Sequence, residues 1–143
     1  MITTILVPVD GSKLAERALA IAIPLAEQHG ARLVVSLVHE PILPLVSGGG
    51  APVRDSGLDE RHRAEQEASV TKLAQRTRKL TSVQVEAQFA HGRIVPTLVE
   101  QAKTLRAGVI VASTHGRGGI QRFWLGSVAD GLVRHATVPV LLV

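Results

Sequence analysis

The stretch that decides the fold is TTILVPVDGS, residues 3–12. Its first seven residues form a short, almost continuous apolar run, which is typical of a strand buried on both faces of a parallel sheet. The residues at 10–12 end this strand, and apolar residues then recur at helical spacing over 13–29, with Gly30 in the position of a C-terminal cap. Pro24 is expected to kink this helix or to make part of it irregular. A strand, a short turn and a helix predict the opening of a βαβ unit.

The remaining chain repeats this alternation of strands and helices. It predicts an α/β fold with right-handed crossovers and an open, doubly wound parallel sheet that has helices on both faces. The strict apolar–polar alternation of 83–89 indicates a strand that is exposed on one side or lies at a sheet edge, and Pro139 indicates that the last strand lies at an edge. The further strands are predicted at 33–38, 83–89, 108–112 and 138–143, and the further helices at 58–79, 94–106 and about 127–135.

The middle of the chain is less regular. Residues 40–57 are rich in proline and glycine and lack an apolar period, so they predict a long loop. The helix that follows is polar, and His62 is expected on its solvated face. We expect this helix to lie on the surface with one edge docked. The docking stripe is predicted to consist of Ala64, Ala68, Leu73 and Leu80.

Length and composition fit a single domain spanning residues 1–143. With 45% hydrophobic and 20% charged residues, the 143-residue chain can bury a sizeable core and does not have the composition of a disordered chain. Its longest apolar runs fall far short of the ~20 residues that cross a bilayer, so no membrane span is expected. The sequence has no cysteine and no recognisable secretory signal, which makes the cytoplasm the expected compartment.

The charge and the aromatic content argue against specific nucleic-acid binding. Sixteen Lys and Arg residues against twelve Asp and Glu give a net charge of +4, and no basic run is present. Aromatic residues make up only 2% of the chain, too few for a surface on which bases stack. A modest attraction to nucleotides or other polyanions is all that follows.

Two loops are candidates for a ligand site, because ligands of open α/β sheets bind beyond the carboxyl ends of the strands. One is 10–12, after the first strand, and the other is 113–127, after the fourth. The second loop combines three glycines, two arginines and a Gly-Ser pair at the start of a helix, where free N–H groups and the helix dipole favour an anion. These features describe a phosphate cradle made by Gly116, Arg117, Gly118, Gly119, Arg122, Gly126 and Ser127.

Each feature also has a simpler interpretation. Glycines in a loop often form ordinary turns, and a serine at a helix start often serves only as a cap. Asp10 could cap the turn before the first helix, and Arg117 and Arg122 could be solvated. His115 has no second ligand at metal-binding spacing, and Trp124 fits a packing role better than a base platform.

Four segments together resemble the universal stress protein family. They are VPVDGS at 7–12, VHEP at 38–41, STHGRGG at 113–119 continuing to LGSVA at 125–129, and HATVPVLLV at 135–143. The resemblance covers essentially the whole chain. It implies the adenine nucleotide alpha hydrolase-like fold with strand order 3-2-1-4-5, a homodimer formed through the last strand at 138–143, and a role in the stress response.

The resemblance also implies a nucleotide site. Family members with the pattern Gly-x-x-Gly, nine residues, Gly-Ser/Thr bind ATP, which Mg²⁺ could accompany, and those without it generally do not. Here Gly116 and the pair Gly126-Ser127 match the pattern, whereas Ser113 replaces its first glycine and narrows the approach to the ribose or phosphates. Asp10 and the backbone of Val38 are implied to meet the adenosine, Pro8 and Ala112 to line its slot, and Val128 to donate to the phosphates. The full implied set is Pro8, Asp10, Ser12, Val38, Ala112, Ser113, His115, Gly116, Arg117, Gly119, Gly126, Ser127 and Val128.

The function expected from these features is that of a regulatory module that binds ATP. The alternatives are a slow ATPase or phosphotransferase, and a family member that no longer binds nucleotide. No acid lies between Ser113 and Ala129, so efficient phosphoryl transfer is not suggested and no catalytic residue is assigned; Asp130 follows within the helix. Neither a Walker motif nor the Gly-x-Gly-x-x-Gly dinucleotide pattern is present.

Overall fold

The computed structural model describes residues 1–41, 56–114 and 125–143, which form a five-stranded parallel sheet covered by four helices. The strand order is β3-β2-β1-β4-β5, which confirms the predicted fold class. β3 and β5 lie at the two edges, as their sequence patterns predict. In chain order the elements are β1 (Thr4–Pro8), α1 (Arg17–His29), β2 (Arg32–His39), α2 (Ser56–Arg78), β3 (Val85–His91), α3 (Ile94–Thr104), β4 (Val109–Ala112), α4 (Ser127–His135) and β5 (Val140–Leu142).

The first helix begins later than its sequence pattern predicts. Residues 13–16 form tight turns instead, in which the Arg17 amide donates to the Leu14 carbonyl at 3.1 Å, a spacing of three residues rather than four. The helix then runs without interruption through Pro24, so the irregular part precedes the proline. At the other end of the chain, β5 is shorter than 138–143, because Pro139 has no N–H and contributes only its carbonyl, which accepts from Ile110 at 2.9 Å.

The sheet is buried on both faces, which explains why its central strands are almost entirely apolar. On one face α1 and α2 cover side chains that include Ile5, Val7 and Val35. On the other face α3 and α4 cover Leu6 and Ile110, among others. Aliphatic side chains therefore fill both cores. No helix within the described ranges is long and apolar enough to cross a membrane.

Helices α3 and α4 approach each other closely at Gly131. A Cβ atom at this position would lie 2.6 Å from Cγ2 of Val95, so no larger residue fits without displacing that side chain. The contact holds α4 against α3 along the face that carries Leu132.

The docked face of α2 differs from the predicted stripe. Leu73 is buried as expected, but Ala64 and Ala68 are exposed and Leu80 is 72% exposed. The prediction was wrong because it followed alanines, whereas the stripe that faces the sheet also contains polar residues. The buried side chains of this face are Val70, Leu73, Ala74 and Thr77.

The beginning of α2 is attached to the sheet by polar contacts around His39, at the end of β2. The His39 ring is 1% exposed; its Nδ1 lies 2.7 Å from Oε1 of Gln66 and its Nε2 lies 3.1 Å from Oδ1 of Asp59. The rings of His62 and His91 pack edge-on against it, with centroids at 5.7 and 5.9 Å. The prediction that His62 is solvated was therefore wrong, since the ring is partly buried and its Nδ1 is enclosed without a hydrogen-bond partner among the described residues. We refer to these five residues as the His39 cluster.

The His39 cluster should determine the local stability of the first turns of α2. Replacing His39 with leucine removes both polar contacts, so we expect amide hydrogen exchange in 57–66 to accelerate about tenfold, while exchange in 70–77 is unchanged. His29→Leu, at an exposed position at the end of α1, is the control. Equal protection of 57–66 in both variants would contradict this role.

The residues that follow α1 and α3 both adopt a positive φ, which strains the backbone of any residue other than glycine. Gly30 adopts φ 62°, and a Cβ atom there would meet no described atom within 4 Å, so Gly30→Ala costs only backbone energy. Arg106 adopts φ 51° after α3, where glycine is preferred. We expect Gly30→Ala to lower the free energy of unfolding by about 1 kcal/mol and Arg106→Gly to raise it by about 0.5–1 kcal/mol, both measured by urea denaturation. Changes of the same sign in the two variants would contradict this account.

Candidate functional site

A crevice is expected where β1 and β4 lie side by side in the centre of the sheet. The helix after β1 packs on one face of the sheet, and the helix after β4 packs on the other. Chains that leave adjacent strands toward opposite faces open a ligand crevice at the carboxyl ends of those strands. Both candidate loops, 10–12 and 113–127, begin at this point.

Side chains of the turn after β1 accept hydrogen bonds from backbone amides in and just after the turn. Oδ1 of Asp10 accepts the Ser12 amide at 2.8 Å, and Oγ of Ser12 accepts the Ala15 amide at 3.2 Å. Gly11 between them has φ 83°, a conformation that favours glycine. Asp10 therefore holds the turn in place, in line with the simpler of the two interpretations. Its predicted contact with an adenosine remains a prediction.

Thr114, just after β4, is hydrogen-bonded both to the start of α4 and to the end of the chain after β5. The amide of Gly126 donates to the Thr114 carbonyl at 2.9 Å, so the start of α4 lies against the end of β4. The amide and Oγ1 of Thr114 in turn donate to the Val143 carbonyl at 2.9 and 3.2 Å. The start of α4 is thereby connected to the ends of β4 and of the edge strand β5.

Close approach explains the glycine at 126. A Cβ atom there would lie 2.9 Å from the carbonyl oxygen of Thr114. Its φ of −57° is accessible to any residue, so backbone freedom is not the reason. Gly126 is therefore required by packing, whatever the site binds.

The first turn of α4 receives no side-chain cap from the residues that the structure describes. Gly126 is the N-cap, and Ser127 is the first helical residue rather than the cap that its sequence position suggested. The amides of the first turn have no acceptor within the helix. Together with the helix dipole, these N–H groups form an arrangement that suits an anion.

The acid that follows the loop is already paired. Oδ2 of Asp130 accepts from Nε of Arg134 at 2.9 Å, one turn further along α4. This hydrogen bond and the charge of Asp130 raise the pKa of Arg134 above its ordinary value. Asp130 thus lies along the exposed side of α4 with a cation beside it.

The predicted walls of an adenosine slot, Pro8 and Ala112, are buried, as is Val38, whose backbone was predicted to contact the adenosine. Pro8, Val38 and Ala112 all lie at the carboxyl ends of their strands, and Val38 and Ala112 belong to the apolar cluster shared with α3 and α4. Alternation along β1 places Pro8 on the same face as Leu6, a member of that cluster.

Part of the predicted site lies outside the described residues. His115, Gly116, Arg117 and Gly119 fall in 115–124, and their roles stay predictions. Within the described ranges, no three or more His, Asp or Glu side chains form a group that could hold a metal ion.

A buried polar pair that the sequence pattern did not predict lies between β2 and α3. Oγ of Ser36 on β2 donates to Oε1 of Gln101 on α3 at 2.7 Å, and the two residues are 0% and 7% exposed. Nε2 of Gln101 has no acceptor in residues 1–41, 56–114 and 125–143. Ser36 is the only polar residue in the run LVVSLV at 33–38, which was the available signal.

Comparisons with known proteins agree with this architecture. The profile described as "Universal stress protein family" matches residues 1–143. A universal stress protein of Thermus aquaticus is 37% identical over 145 residues, covering 100% of this chain and 99% of the relative. The structure of universal stress protein UspA from Lactobacillus plantarum superposes with a TM-score of 0.82 at 26% identity, covering 99% and 97% of the two chains.

A second solved structure, a universal stress protein in complex with cAMP, has a TM-score of 0.73 at 24% identity and covers 99% and 96% of the two chains. At this identity it shows a shared fold. The profile match over the full length and the Thermus relative go further: this chain belongs to the universal stress protein family.

Proposed function

We propose that this chain is a regulatory module that binds an adenine nucleotide, ATP in the first place, in the crevice between β1 and β4. The observation that carries the proposal is the uncapped first turn of α4, held against the end of β4 by the hydrogen bond from Gly126 to Thr114 in the described part of the chain. A helix start fixed in this way offers its amides to phosphate oxygens without reorganisation.

The base and ribose are assigned to the buried ends of β1, β2 and β4. Pro8 and Ala112 supply apolar side chains there and Val38 its backbone, and apolar walls with a few polar groups are typical of small-molecule sites. The universal stress protein that was solved with cAMP has the same fold, which supports an adenine nucleotide as the ligand class.

The residues present fit a nucleotide better than a protein-held metal ion. Asp130 is paired with Arg134, and one oxygen of Asp10 accepts the Ser12 amide. Any Mg²⁺ would therefore be held chiefly by the phosphate oxygens, as is common for this ion. In the proposal, Arg117 supplies positive charge from the glycine-rich loop.

The same pairing favours binding over turnover. Phosphoryl transfer needs a group that positions water or accepts a proton, together with cations around the transferred phosphate. Asp130 is the acid that follows the loop in sequence, and its partner is Arg134 on the exposed side of α4. We therefore propose that nucleotide occupancy, and its effect on partner contacts, is the output in the stress response.

We also propose that the module is a homodimer formed through 138–143. In the described chain β5 pairs with β4 on one side and leaves its other edge open, and its face away from α3 and α4 carries Leu141 and Val143, which are 39% and 37% exposed. An apolar edge strand is suited to pairing with a second copy of itself. The lack of cysteine fits the cytoplasmic setting in which the proposal places it.

A charge at the start of α4 tests the phosphate assignment. Ser127 is exposed at the first helical position, so Ser127→Asp should leave the fold intact and favour the helix dipole. It should weaken binding of MgATP by about tenfold or more through repulsion of the phosphates, measured by isothermal titration calorimetry. Ser127→Asn, which has the size of Ser127→Asp without its charge, is the control and should bind more tightly than Ser127→Asp. Equal affinities of the two variants would place the phosphates elsewhere.

The dimer is tested at the open edge of the sheet. Leu141→Lys should convert a dimer to a monomer in sedimentation equilibrium, because the dimer would cover this face of β5 and bury an unpaired charge. Leu80→Lys, at an apolar residue that is 72% exposed at the end of α2, should leave the mass unchanged. A wild-type protein that is monomeric, or a Leu141→Lys protein that stays dimeric, would refute this interface.

A further inference from the structure

The Ser36–Gln101 pair is an unusual feature of the second core. Its neighbours in the cluster between the sheet and α3 and α4 are aliphatic, including Val34, Val38 and Leu98. The Ser36 hydroxyl occupies Oε1 of Gln101, so the amide group is oriented with its Nε2 directed away from that bond. Nε2 carries two N–H donors and has no acceptor among the atoms of the described residues. A buried donor left in this state costs stability, so a ligand that satisfies it gains an interaction that water would not contest.

The pair lies in the layer that forms the proposed adenosine slot. Ser36 is the register partner of Pro8 in the neighbouring strand. Along β2, alternation places Ser36 on the same face as Val38, which belongs with Ala112 to the cluster covered by α3 and α4. Pro8, Val38, Ala112 and the Gln101 amide therefore share one face of the sheet, and Ser36 lies level with the last residue of β1.

We infer that Gln101 recognises the base of the bound nucleotide through a hydrogen bond, and that Ser36 orients the Gln101 amide. Nε2 donates to an unprotonated ring nitrogen of the purine, a group that the apolar walls cannot recognise. The inference rests on the proposed function and adds to it a determinant of base recognition. A site built with a hydrogen-bonding group discriminates strongly against ligands that lack the matching acceptor, because the group is then left unpaired.

The test removes both members of the pair. The double variant Ser36→Ala/Gln101→Met replaces two bonded polar groups by apolar ones of similar size, so it should fold and melt at a temperature no lower than that of the wild type. Its affinity for ATP should fall about tenfold, while its affinity for ribose 5-triphosphate, which has the phosphates without the base, should equal that of the wild type. Thr77→Val is the control, since Thr77 is a buried polar residue on the opposite face of the sheet, 2% exposed.

The base atom is identified with the unmodified protein. Among the 1-deaza, 3-deaza and 7-deaza analogues of ATP, one should bind the wild type about tenfold more weakly than ATP, and the double variant should no longer distinguish that analogue from ATP. This measurement also keeps the inference testable if the double variant does not fold, because three analogues that all bind the wild type as ATP does would refute it.

The outcomes separate the inference from the proposed function. A wild type that binds neither ATP nor ribose 5-triphosphate would overturn both. A wild type that binds ATP, with a folded double variant that binds ATP equally well, would overturn the role of Gln101 and leave the proposed function standing. A double variant in which the affinities for ATP and ribose 5-triphosphate fall together would also overturn it, because the pair would then act on the shape of the site rather than on the base.

Discussion

The candidate site depends on one hydrogen bond, from the amide of Gly126 to the carbonyl of Thr114 at 2.9 Å. It joins the start of α4 to the end of β4, so Thr114 and Gly126 lie side by side. Because Thr114 is also bonded to Val143, the first turn of α4 is connected by hydrogen bonds to the ends of two strands. Sites whose geometry is set by strands and helices are held more precisely than sites that depend on loops alone.

This contact changes how a glycine pattern should be interpreted. Gly126 belongs to a spacing associated with ATP binding, yet its immediate cause is steric, since a Cβ would lie 2.9 Å from the Thr114 carbonyl oxygen. Packing and ligand access thus both require glycine at position 126. A substitution of Gly126 would therefore disturb the packing as well as the site, and its effect on binding could not be assigned to either one. Ser127, exposed and one residue further, is separate from the Thr114 contact and lies in the same turn. Gly30 has a different cause again, a positive φ with open space around it in the described structure.

The parts of the fold that follow from local pattern could be predicted, and those that depend on contacts between distant residues could not. The apolar runs predicted the parallel strands, and the bounds of α4 were correct, because burial on both faces and helical periodicity are visible in adjacent residues. The docked stripe of α2 was missed because Thr77 is polar and Gln66 contacts His39. The Ser36–Gln101 bond joins residues 65 positions apart, a pairing that periodicity does not encode. Two parts of the candidate site could be predicted from the order of strands and helices alone. They are the turn at 10–12, which follows β1, and the start of α4.

The contact at Gly131 bears on how the crevice would respond to an occupant. α4 carries the amides proposed for the phosphates, α3 carries Gln101, and the two helices meet where a Cβ at 131 would lie 2.6 Å from Val95. Any shift of one helix against the other at this point must also move the half-buried Val95 side chain. The two ends of a nucleotide would then contact two helices that are packed against each other. Such an arrangement favours a preformed cleft over induced fit, which lowers the entropic cost of association.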